Sequence, residues 1–135
     1  MIMKRNKTWD FEEMVAMVDI YMRHKNGTNT RTLKEDLEDL SIALNKRADM
    51  LGIEKGENYR NYNGMNMIYH NLMSADTNGE KGLKNGSKLM FKVLDFYKEH
   101  HAEFETLLKH FNDNYSNYFI CMISFVSALL IHKLN

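Results

Sequence analysis

The sequence predicts an all-α domain of five to six helices. Three observations carry this. There is no proline anywhere in the chain, apolar residues recur at helical spacing along most of it, and the stretches between those stripes hold the residues that cap and end helices. With 135 residues, a single domain over 1–135 is expected, long enough to bury roughly two thirds of its unfolded surface.

Thr8 can cap a first helix opening with Trp9-Asp10-Phe11-Glu12-Glu13, whose acids suit the positive helix end. Phe11, Met14, Val15, Val18, Tyr21 and Met22 form its apolar stripe, and it should end near Lys25 at the turn Asn26-Gly27. Thr32 with Glu35 makes a capping box for a second helix that buries Leu33, Leu37, Leu40, Leu44 and Ala48 and ends at Gly52. Lys34, Glu35, Glu38 and Asp39 fill its other side, a solvated face or an acidic patch for a partner. A third helix runs from about Tyr62 to Ser74, with Asn61 as N-cap and Met65, Ile68, Tyr69 and Leu72 inward. Gly64 falls in its first turn, where a missing side chain lets another backbone or a phosphate come close.

Residues 75–86 read as a loop. Ser87 caps a fourth helix with Leu89, Met90, Val93, Leu94 and Tyr97 on its apolar face, and His100-His101 marks a break. Ala102 onward gives a fifth helix through Phe104, Leu107, Leu108 and Phe111, ending around Asn112-Asp113-Asn114. The last segment, Tyr118 to Ile131, is apolar almost throughout. It is shorter than the roughly 20 residues a bilayer span requires, so it reads as a core helix or a homo-oligomer interface, and membrane contact is not expected.

Eighteen basic and eighteen acidic residues cancel, which leaves no global field toward nucleic acid or membrane. The charge is nevertheless arranged in blocks. Residues 55–98 carry seven basic against four acidic side chains, a net of +3, while residues 10–54 carry six against ten, a net of −4. The lone Cys121 has no disulfide partner within the chain, so a reducing, cytoplasmic setting is expected. No signal peptide is read at the N-terminus.

Catalytic signatures are missing from the sequence. It holds no His-Glu-x-x-His, no Cys-x-x-Cys, no Gly-x-Ser-x-Gly and no phosphate loop. Zinc needs three or four converging ligands, and His100, His101, Glu105 and His110 supply by spacing only the pair His101 and Glu105. Cys121 lies where a thiolate is disfavoured. The expectation is a protein without catalysis, metal, cofactor or small-molecule substrate.

Binding chemistry is concentrated in Tyr59-Arg60-Asn61-Tyr62-Asn63-Gly64-Met65 and the turns that follow. The second and third helices can form a helix-turn-helix-like pair whose second member presents Arg60, Asn61, Asn63, Asn66 and His70. Asparagine can pair bidentately with adenine and arginine with guanine, while Lys81, Lys84, Lys88 and Lys92 can neutralise phosphates. The same residues also have structural uses: Asn61 as a cap, Gly64 in helix packing, and Arg60 in an ion pair with an acid of the preceding helix such as Asp49.

Trp9, Tyr21, Leu40-Ser41-Ile42-Ala43-Leu44-Asn45, Tyr59 to Met65, Asn71, Asp76 and Gly82-Leu83 occur in an order and rough spacing that resembles the N-terminal helical module preceding HNH nuclease domains in bacterial restriction-type proteins. The similarity covers about residues 9–110. It departs at Tyr62, where the family often has proline, and at Ile68, where it often has a basic residue. No HNH nuclease follows. The resemblance implies a DNA-engaging recognition module without its nuclease. The alternative is a small phage or mobile-element protein that binds and inhibits a host defence protein.

Overall fold

The computed structural model describes residues 5–78 and 87–116, which form five helices and, among those residues, no strand. The helices are α1 (Phe11–Lys25), α2 (Leu33–Leu51), α3 (Tyr62–Asp76), α4 (Lys88–Glu99) and α5 (His101–Tyr115). The expected helix Tyr118 to Ile131, together with Cys121, Lys81, Lys84 and Gly82-Leu83, lies outside the described residues. No helix among the described residues is long and apolar enough to cross a membrane.

α1 is the hub, packed against all four other helices. Its burial therefore goes beyond one stripe: Ala16, Met17 and Ile20 are buried along with Met14, Val15, Val18, Tyr21 and Met22. Its N-terminus differs from the sequence expectation. Asp10, not Thr8, is the N-cap, and the helix starts at Phe11. The reason is a reciprocal capping box. The Glu13 N–H donates to Asp10 Oδ1 at 3.0 Å and the Asp10 N–H donates to Glu13 Oε1 at 3.1 Å, satisfying two groups that Thr8 would leave open.

α2 opens on the Thr32–Glu35 box and ends at Gly52, whose φ of +70° is the left-handed conformation that favours glycine at a helix terminus. Ion pairs fix α2 antiparallel to α1. At one end His24 Nε2 lies 2.7 Å from Asp36 Oδ2. At the other, Arg47 meets Glu12 at 2.6 Å and Asp10 at 2.8 Å. α3 runs parallel to α1, because Arg60, just before it, reaches Glu13 while Asp76, its last residue, reaches Tyr21 and Lys25.

The break between α4 and α5 falls at His100, whose φ of −132° and ψ of 54° belong to neither helix. Phe104, fully buried, fills the angle it creates, in edge contact with Tyr97 at 5.0 Å between ring centroids.

Candidate functional site

The turn before α3 is built from residues that the sequence reading treated separately. Arg60 has φ +47°, a left-handed conformation that costs a non-glycine residue roughly 1–2 kcal/mol. That conformation aims its side chain inward. Nε donates to Glu13 Oε2 at 2.7 Å, and Nη2 donates to Glu13 Oε1 at 3.1 Å and to the Lys7 carbonyl at 2.8 Å. The guanidinium also lies over Tyr59 and Trp9, 4.5 and 5.0 Å from their ring centroids.

Arg60 is therefore buried, with Nε, Nη2 and its cationic face engaged inside the fold. Its acidic partner is corrected. Asp49 instead pairs with Lys55 at 2.9 Å, and Glu13 of α1 takes the role.

Two α2 side chains hold the same turn. Ser41 Oγ donates to the Arg60 carbonyl at 2.6 Å, and Asn45 Nδ2 donates to the Tyr59 carbonyl at 3.1 Å. The loop over residues 52–61 thus folds back along α2 instead of making a short helix-turn-helix turn. Asn6 completes the clamp. Its amide donates to the Glu57 carbonyl and accepts from the Gly56 N–H, at 3.1 and 2.7 Å.

Asn61 Oδ1 accepts from the Gly64 N–H at 2.9 Å, the N-cap bond expected from sequence, so the residue positions the first turn of α3. Among the described residues, the only atom near a Cβ added at Gly64 is this same oxygen, at 3.2 Å. Gly64 therefore serves the cap and not the close approach of another helix.

Beyond the cap, α3 divides cleanly. Met65, Tyr69, Leu72 and Ala75 face the core. Asn63 and Met67 are exposed and Asn66 and His70 half-buried on the outer side. His70 Nδ1 lies 2.8 Å from the Asn66 carbonyl, which can only accept. Nδ1 therefore carries the proton, and in the neutral ring Nε2 is left as an acceptor. α3 holds no carboxylate along its length until Asp76. On α4, Lys88 and Lys92 are exposed one turn apart, with no ion pair among the described residues, and Phe91 between them is 47% exposed.

Asp76 is a structural node. Its carboxylate accepts from Tyr21 Oη at 2.6 Å, Lys25 Nζ at 2.7 Å and Lys98 Nζ at 3.2 Å, tying together α1, α3 and α4. Burial pushes its pKa up, but the three donors outweigh burial and hold the carboxyl at about 2. Burial and the bond to Asp76 together raise the Tyr21 phenol above its ordinary value. Asn71 is also buried, and its Oδ1 has no hydrogen-bond partner among the described residues.

A cavity of about 390 Å³ lies between α1, α2 and α5, floored by Ala16, Ile20, Leu40, Ala43, Leu108 and Phe111. Its charged rim is satisfied internally. Arg23 pairs with Asp19 at 3.0 Å, Arg31 with Asp39, and His24 and Asn29 with Asp36. Burial raises the Asp19 pKa, partly offset by Arg23. Of the histidines considered as metal ligands, His101 pairs with Glu105 at 3.3 Å and His110 with Glu12 at 3.2 Å.

Sequence reasoning missed Glu13 and the clamp of Ser41 and Asn45. A signal for the first was present, since Glu13 borders the apolar stripe of α1, one position before Met14. The signal for the second was the Leu-Ser-x-x-Leu-Asn motif itself. Comparison of the chain with protein-family models, with curated proteins and with solved structures yields no match.

Proposed function

We propose that this chain is a non-catalytic helical module that interacts with DNA, of the kind that precedes HNH nucleases in restriction systems. The contact surface is the outer side of α3 together with the first half of α4. The observation that carries the reading is the chemistry of α3's outer side: Asn63, Asn66 and His70 offer uncharged donors and acceptors, and the helix has no carboxylate there to repel phosphate. Lys88 and Lys92 supply exposed cations on the first half of α4, with exposed Asp95 and Glu99 following on the same face. Arg60 and Asn61 contribute by fixing the start of α3, not by touching the ligand.

The test is a duplex titration followed by fluorescence anisotropy at several salt concentrations. Each phosphate contact contributes about threefold to the loss of affinity between 50 and 200 mM salt. Lys88→Ala should therefore weaken binding and lower the salt slope by about 1. Absence of affinity for any duplex at low salt would remove the reading.

A second reading, binding and inhibition of a host defence protein, is favoured by one specific feature. Met67 is 52% exposed between Asn63 and His70, and Phe91 lies exposed between Lys88 and Lys92. Exposed apolar side chains amid polar ones are typical of protein interfaces. A pull-down from host lysate that retains nucleic acid and no protein counts against this alternative.

A further inference from the structure

We infer that the cavity between α1, α2 and α5 binds a small organic monocation, an ammonium carried on a short apolar body, with Asp19 as its counter-ion. The cavity is lined by none of the residues of the proposed DNA surface, and nothing in it depends on that surface. Its volume of about 390 Å³ falls within the range of small-molecule sites, which are apolar with a few convergent polar groups. Leu40, Ala43, Leu108 and Phe111 supply apolar walls for one ring or a short chain.

Asp19 is the polar group that selects the ligand. It shares a face of α1 with Ala16, one turn before it, and its side chain is only 19% exposed. A carboxylate so placed is costly unless it is well paired. Its pairing is incomplete: Arg23 donates to Oδ2 alone, and Oδ1 has no hydrogen-bond partner among the described residues. Arg23 is itself divided, since Nη1 donates to Asn29 at 2.9 Å and lies 3.6 Å from Asp36. Burial, and then the charges of Glu105 and Asp36, raise the Asp19 pKa against the pull of Arg23. A carboxylate perturbed in this way inside a cleft is where a bound cation gains most. An ammonium donating to Oδ1 completes the carboxylate. An anion finds no such opening, because Arg31 is held by Asp39 and Arg23 by Asp19 and Asn29.

The experiment titrates the isotope-labelled full chain with phenethylamine, phenethyl alcohol and hydrocinnamate, one ring carrying in turn a cation, a neutral hydroxyl and an anion. Backbone amide shifts give both the site and the affinity. Phenethylamine should move Ala16, Asp19, Ile20 and Phe111, and bind at least about tenfold more tightly than the alcohol, the scale of a hydrogen bond to a charged group. Hydrocinnamate should bind more weakly than the alcohol. Asp19→Asn should bring phenethylamine down to the alcohol's affinity. No shift at the lining residues, equal affinity for amine and alcohol, or an amine affinity that Asp19→Asn leaves unchanged overturns the inference. If circular dichroism shows that Asp19→Asn does not fold, the comparison of amine with alcohol in the parent chain decides.

Discussion

Arg60→Ala should unfold this protein far more readily than it should change any surface property. In the folded chain Glu13 is 2% exposed and Arg60 7% exposed, and their carboxylate and guanidinium meet through two hydrogen bonds at 2.7 and 3.1 Å. Removing one member of a buried pair leaves the other charge without compensation, at a cost of about 3–5 kcal/mol. The left-handed backbone at residue 60 is no relief, since alanine suffers there as arginine does.

The assay is urea unfolding followed by far-ultraviolet circular dichroism. The single tryptophan, Trp9, stacks on the guanidinium and gives a local fluorescence readout. The double variant Arg60→Met with Glu13→Leu should recover much of the loss, because a packed apolar replacement of a buried pair costs little. If Arg60→Ala costs less than about 1 kcal/mol while DNA affinity falls, Arg60 is a contact residue and the structural assignment is wrong.

Other outcomes follow from the same geometry. Asp76 has a carboxyl held at about 2, below its unfolded value near 3.9, so its contribution is fully present above about pH 4 and is lost as pH falls through 2. Asp76→Asn should flatten that part of the acid-unfolding curve, measured by circular dichroism. Asn61→Ala removes the α3 cap and should cost about 1 kcal/mol in urea unfolding. Thr32→Ala should cost a similar amount at the α2 capping box. Asn63→Ala and Asn66→Ala, on the outer side of α3, should stay within about 0.5 kcal/mol of the parent in the same assay.

The local rules of helix formation made most of the fold legible. Thr32, Asn61 and Ser87 cap the helices they were expected to cap, Gly52 ends α2, and His100 breaks α4 from α5. Each of those features depends on a few neighbouring residues. The start of α1 was misplaced because Thr8 and Asp10 are both good caps, and only the reciprocal bond with Glu13 decides between them.

The candidate site was less legible, for a physical reason. Whether Arg60 faces solvent or core depends on a left-handed φ and on an acid 47 positions earlier, and periodicity reports neither. Asn63, Asn66 and His70 were placed correctly on the outer side because helical spacing alone determines it. Met67 and Phe91, the exposed apolar residues among them, went unremarked because their exposure depends on packing against neighbouring helices.

The most direct test of the proposed DNA surface is chemical-shift mapping of the isotope-labelled chain titrated with an unlabelled duplex. DNA binding through α3 and α4 predicts perturbations concentrated at Asn63, Asn66, Met67, His70, Lys88 and Lys92, with Arg60 shielded and little changed. Perturbations absent at saturating duplex, or centred on another face of the bundle, would contradict it.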